Sequence, residues 1–148
     1  MPEREILSLT LPLNVERLCD LSSRWLVTPE VMQRTVTAAR AFSLNTGRQV
    51  FIISGWRSAQ EQARLGRAGR PTAPDALSTH RSCLATGIDI DLGFLVPEIL
   101  QARWGAEVVL AGLRWGGGSS VDPLTGIPSD WQHVDTGPRD RERVGLPG

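Results

Sequence analysis

The chain contains two histidines, His80 and His133, and each stands in a short polar cluster with aspartate nearby. The first cluster is Ser78-Thr79-His80, followed by Gly87-Ile88-Asp89-Ile90-Asp91. The second is Asp130-Trp131-Gln132-His133-Val134-Asp135. Two imidazoles and one carboxylate are a sufficient protein ligand set for a catalytic zinc, which keeps its fourth position for water. Such a set predicts metal-dependent hydrolysis by a small domain. That both histidines are spent on these two places is the sharpest sign of it.

The carboxylates divide into candidate ligands and a candidate proton carrier. Asp89 lies between Ile88 and Ile90, and a strand that turns the isoleucines inward aims Asp89 at its other face. A carboxylate in a buried strand is costly unless it is paired or bound to a cation. The plain alternative is a surface strand with Asp89 and Asp91 both solvated. Asp130 stands three positions before His133 and need not ligate. Beside metal-activated water it could take a proton and pass it to a leaving nitrogen. For His133 the alternative is a structural imidazole beside Trp131. Arg57, in Ser54-Gly55-Trp56-Arg57-Ser58, offers a planar fork suited to a carboxylate or peptide oxygen, although a structural ion pair is the commoner role.

Elements to position these groups can be read from spacing. Residues 1–28 mix short apolar runs with charge, and suit either an N-terminal strand or short helices. Thr28-Pro29-Glu30 is a helix start, with a hydroxyl N-cap, proline at the first position and an acid in the first turn. Met32, Val36, Ala39 and Phe42 then recur at helical spacing until Asn45-Thr46-Gly47 stops the run. Val50-Phe51-Ile52-Ile53 predicts a buried strand, followed by a polar helix around 58–66 and a loop from Gly66 to Asp75. Thr86 to Leu92 predicts a strand whose Asp89 and Asp91 share a face. A helix from Pro97 to about Ala111, a short strand or turn at Gly112–Trp115, a flexible glycine-rich stretch from Gly116 to Ser129 and a last strand from Trp131 to Asp135 complete the pattern. The tail from Gly137 is expected to fray. The fold class expected is α+β, a small sheet with helices packed on it and polar strand ends that converge.

Bulk properties limit the partners. At 148 residues the chain suits one domain (residues 1–148), with a 41% apolar content ordinary for a globule. Formal net charge is zero, which gives no electrostatic case for nucleic acid or an anionic membrane. All sixteen basic residues are arginine, so lysine Schiff-base chemistry is excluded. Cys19 and Cys83 have no metal-binding spacing; they form either one bridge or two free thiols, and Cys83 is near enough to His80 in sequence to count as a soft ligand. No basic segment followed by an apolar run opens the chain, and no stretch nears the roughly eighteen apolar residues of a membrane span. The expected protein is therefore made in the cytoplasm and not inserted in a membrane.

Taken together and in this order, Ser54-Gly55-Trp56-Arg57-Ser58 with Gln62, Ser78-Thr79-His80 with Gly87-Ile88-Asp89, Gly112-Leu113-Arg114-Trp115-Gly116-Gly117, and Asp130-Trp131-Gln132-His133 carry a likeness. They resemble the zinc D-Ala-D-Ala carboxypeptidase and L-alanyl-D-glutamate endopeptidase family. That family includes bacterial wall carboxypeptidases, resistance dipeptidases and phage endolysins, and shares its core with the hedgehog signalling domain. The likeness covers about residues 29–136. It implies a hedgehog/D-Ala-D-Ala-peptidase-like fold with a small antiparallel sheet, and one zinc per chain held by His80, Asp89 and His133. It also implies Asp130 as the catalytic acid and base, and Arg57 as the holder of a substrate carboxylate or carbonyl, helped by Ser78 and Gln62.

One departure stands out. In the family the aspartate follows the histidine by seven positions; here the step is nine, and Gly87 occupies the seventh. A two-residue loop insertion containing Ser82-Cys83 accounts for it, while Asp91 as the ligand and a damaged metal site remain the alternatives. The substrate implied is a peptidoglycan stem peptide, cut between L-Ala and D-Glu by a monomeric phage-type endolysin that reaches the wall after holin-type release. Terminal D-Ala-D-Ala carboxypeptidase action is the nearest rival. A zinc-bearing binding domain without catalysis and a plain structural domain are the others.

Overall fold

An antiparallel sheet and a layer of helices organise the chain, which the computed structural model describes over residues 4–9, 13–56, 60, 64, 84–91, 96–119 and 131–136. The elements among these are β1 (Glu5–Ile6), α1 (Val15–Trp25), α2 (Pro29–Thr46), β2 (Val50–Ser54), β3 (Ala85–Ile90), α3 (Glu98–Leu110), β4 (Arg114–Trp115), a helical turn at Gly116–Ser119, and β5 (His133–Asp135). The strand order is β1-β2-β3-β5-β4, and every described pairing is antiparallel. This is the α+β arrangement expected.

Local chemistry sets the two long helices. Thr28 occupies the N-cap position of α2 with an extended backbone, and Pro29 opens the helix. The Thr28 hydroxyl makes no capping hydrogen bond, so the proline's preset φ and Glu30 at the positive helix end carry that start. Gly47, at φ 73°, ends the helix in the left-handed region that glycine enters without penalty. Val31, Met32, Thr35, Val36, Ala39 and Phe42 form the buried stripe. In α3 the fully buried Trp104 meets the edge of Phe42 with centroids 5.8 Å apart, a favoured aromatic geometry. That contact locks α2 to α3.

Strand alternation sorts the sheet into two faces. Val50 and Ile52 on β2, Ile88 and Ile90 on β3, and Val134 on β5 are fully or almost fully buried and join the core formed with the helices. The Thr35 hydroxyl of α2 lies 3.3 Å from that of Thr86, which marks the β3 face that meets the helices. The other face receives Phe51, Gly87, Asp89, His133, Asp135 and Arg114, by period-two alternation and by the register of the pairs.

Three details refine the sequence reading. The N-terminal region supplies both a strand and a helix, joined by ion pairs from Glu5 to Arg17 and Arg24. The strand expected over Thr86–Leu92 runs instead from Ala85 to Ile90. Asp91 follows it as part of a turn and exchanges hydrogen bonds with Gln49: its backbone N–H donates to the Gln49 carbonyl, and its carboxylate accepts from the Gln49 N–H. It therefore does not continue the Asp89 face. Third, Gly116–Ser119 begins the glycine-rich stretch as a helical turn rather than as flexible chain.

The Trp115 indole explains two glycines. A Cβ at Gly105 or at Gly117 would run into its ring, while its Nε1 donates to the Trp131 carbonyl at 2.9 Å. Gly105→Ala is expected to lower stability by about 1–3 kcal/mol, the usual range for overpacking. A urea titration showing no loss would remove this account of Gly105. Elsewhere, Cys19 is an exposed free thiol, and Cys83 lies outside the described residues.

Candidate functional site

Three strands carry a row of polar side chains across the face of the sheet opposite the apolar core residues. Gly87 on β3 is paired directly with His133 on β5, and Ala85 with Asp135. Arg114 on β4 faces Asp135 from the other side. Residues directly opposite in an antiparallel pair share a face, so β4, β5 and β3 present Arg114, then Asp135 and His133, then Asp89. Asp89 lies one diagonal step from His133. Gly87, opposite His133 and two residues before Asp89, adds no side chain; a Cβ there would collide with the Ser54 hydroxyl.

Each carboxylate on this row has defined partners. Asp89 is half-buried and its Oδ1 accepts from its neighbour's backbone N–H, that of Ile90, at 2.9 Å and from the Gln132 side-chain amide at 3.2 Å. Asp135 is fully buried. Arg114 grips it bidentately, Nε to Oδ1 at 2.8 Å and the second nitrogen to Oδ2 at 2.7 Å. His133 Nε2 lies 2.6 Å from the same Oδ2. Burial alone would raise the Asp135 pKa, but the hydrogen bonds from His133 and Arg114 and their positive charge outweigh it and lower the carboxyl from 3.8 to about 2.

Two expected results follow from that arrangement. Asp135→Ala leaves the Arg114 guanidinium, whose side chain is only 10% exposed, without its carboxylate partner; losing one member of a buried pair costs about 3–5 kcal/mol. A denaturant midpoint unchanged from wild type would contradict it. The pH dependence has a definite sign as well. Because the folded pKa of Asp135 lies below its ordinary value, between pH 3.8 and about 2 the unfolded chain binds more protons and stability rises with pH. This contribution is complete above that window and fades as pH falls through it, which denaturation curves across acid pH would reveal.

The structure thus brings Asp89 and His133 to one face of adjacent strands. His80, Asp130, Arg57, Ser78 and Gln62 lie outside the described residues. Among the described residues, no group of three His, Cys, Asp or Glu side chains is placed to hold a metal ion. Asp89 and His133 are therefore the two described members of the set read from sequence. The alternative ligand Asp91 is engaged with Gln49 and lies 3.9 Å from Arg48. Sequence reading gave no role to Asp135 or Arg114. The signal was present: Asp135 is two residues beyond His133, hence on its face in any strand, and Arg114 is the polar residue of a two-residue strand.

No protein family's sequence profile matches the chain, and no curated protein matches it significantly. Among solved structures, the fold is similar to that of the L-Ala D-Glu endopeptidase ChiX of Serratia marcescens. The match has a TM-score of 0.53 at 18% identity, covering 79% of this chain and 84% of that one. This likeness supports the hedgehog/D-Ala-D-Ala-peptidase-like architecture as the fold. Within the described residues, no helix is long and apolar enough to cross a membrane.

Proposed function

We propose that the chain is a zinc-dependent peptidase that hydrolyses stem-peptide amide bonds of peptidoglycan, as an L-alanyl-D-glutamate endopeptidase of the phage-endolysin type. The observation that carries this reading is the placement of Asp89 and His133 on one face of neighbouring strands, with the side-chain-free Gly87 directly opposite His133. The fold it shares with an L-Ala D-Glu endopeptidase supports the substrate class.

The two donors described, a carboxylate and an imidazole, are of types that zinc takes. Asp89 would contribute a carboxylate oxygen. His133, hydrogen-bonded to Asp135 through Nε2, resembles the imidazole–carboxylate pairs common around protein-bound metals. His80 is the third ligand in this proposal. When bound, zinc supplies a Lewis acid that acidifies water and polarises a carbonyl.

The chain's own residues do the rest. Arg57 holds the substrate's carboxylate or carbonyl through its planar fork, with Ser78 and Gln62 as further hydrogen-bonding partners. Asp130 takes a proton from the attacking water and returns it to the leaving nitrogen, so one carboxyl group serves as base and then acid. This needs a carboxylate that is ionised at the start, the ordinary state of aspartate near neutral pH.

Digestion of purified muropeptides tests the reading. Cleavage that exposes a new amine on D-Glu, abolished by chelation and restored by zinc, is the expected result. Release of free D-alanine instead identifies carboxypeptidase action, and no cleavage by a zinc-loaded protein identifies a binding domain. In keeping with this reading, the protein is a monomer that acts on the wall after release from the cytoplasm.

A further inference from the structure

Asp135 and Arg114 lie outside the reaction just described, yet they form a buried, bidentate ion pair on the sheet. Asp135 is fully buried, its two oxygens gripped by Arg114, and Oδ2 also lies within a short hydrogen bond of His133 Nε2. The β4–β5 register sets Arg114 directly opposite Asp135, so the contact is built into the backbone pairing. We propose that Asp135, clamped by Arg114, is the positioning residue for His133: it accepts the Nε2 proton and fixes the imidazole as the tautomer whose lone pair is on Nδ1.

The protonation pattern follows from the partners. A carboxylate inside a guanidinium fork is ionised and acts only as an acceptor. The proton between Oδ2 and Nε2 therefore belongs to the ring. A neutral imidazole donates from one nitrogen and accepts at the other, which puts the electron pair on Nδ1. For a metal ligand this arrangement sets ring orientation and raises ligand basicity. Arg114 has a separate task. It holds the carboxylate plane through two N–H bonds, and it supplies the charge that lets an ionised Asp135 stay buried. Lysine, with a single point of charge, cannot reproduce that fork.

The use made of the Nδ1 lone pair rests on the zinc reading above, whereas the tautomer itself rests on the hydrogen bonds. The test separates the two. With two histidines in the chain, nitrogen-15 NMR of metal-free, histidine-labelled protein at mildly alkaline pH gives two rings, and His80→Gln identifies which belongs to His133. The expected wild-type ring is protonated at Nε2 and bare at Nδ1. Asp135→Asn is expected to mix the tautomers, and Arg114→Lys to do so partly. In competition with a chromogenic chelator, Asp135→Asn should weaken zinc binding by about 10–100-fold, with Arg114→Lys between it and wild type.

A wild-type His133 protonated at Nδ1 overturns the proposal, as does a folded Asp135→Asn protein with an unchanged ring. So does a folded Asp135→Asn protein whose zinc affinity stays within about twofold of wild type, well short of that range. A wild-type protein that binds no zinc defeats the peptidase reading instead, and the ring spectrum still decides the positioning role. Should Asp135→Asn not fold, the wild-type spectrum and Arg114→Lys decide it.

Discussion

Alanine at Asp89 or at His133 is expected to remove stoichiometric zinc and wall-peptide hydrolysis together. A catalytic zinc held by three protein side chains has none to spare. Losing a partner that only orients a ligand already costs about 10–100-fold in affinity or activity, so loss of a ligand should exceed that range. Asp89 gives the cleaner experiment. Its side chain is half-buried on the face away from the helices, and its hydrogen bonds go to Gln132 and to its neighbour's backbone. Truncation there leaves Ile88 and Ile90 in the core. His133→Ala also takes away a hydrogen bond from the buried Asp135, so its unfolding curve should be measured beside its metal content. Metal analysis after chelator-free purification, with turnover on muropeptides, provides the readout. An Asp89→Ala protein that keeps one zinc and wild-type turnover would falsify the assignment of this strand to the metal.

Asp130→Ala should separate the two properties. The variant is expected to hold one zinc and to lose kcat by about 10²–10⁴-fold, the usual contribution of a positioned general acid or base. The distinction comes from the assigned tasks: Asp89 and His133 bind, whereas Asp130 moves a proton. Asp130→Asn should behave in the same way, since the amide keeps the shape and cannot accept the proton. If zinc disappears with activity, Asp130 is a ligand; if turnover persists, another group carries the proton.

Much of the scaffold was legible because its signals are local. Thr28-Pro29-Glu30 and Gly47 bound α2 on backbone preference and helix-end charge alone, and the apolar run from Val50 declared β2. The alternation of Ile88, Asp89 and Ile90 correctly put Asp89 on the face opposite the isoleucines. Asp91 was harder, because the same alternation continues past Ile90. Past Ile90 the chain turns, and Asp91 makes a reciprocal contact with Gln49, the residue just before β2. That partner is distant in sequence, and no periodicity announces it. The helical turn at Gly116–Ser119 was hidden for a similar reason. Glycine composition reads as loop, whereas the space beside the Trp115 ring favours a residue without a side chain.

The linear chain determined which groups were available for chemistry: two histidines, an aspartate between isoleucines, and no lysine. It also determined where the main helices and strands form, since capping and side-chain periodicity act within a few residues. Tertiary structure alone decided that β3 lies between β2 and β5, setting Gly87 opposite His133, and that β4 brings Arg114 onto Asp135. The physical reason is that strand order and register are set by burying one face of β2, β3 and β5 at once in the core formed with the helices. That condition couples residues far apart in sequence and leaves its by-product, a row of polar groups, on the opposite side.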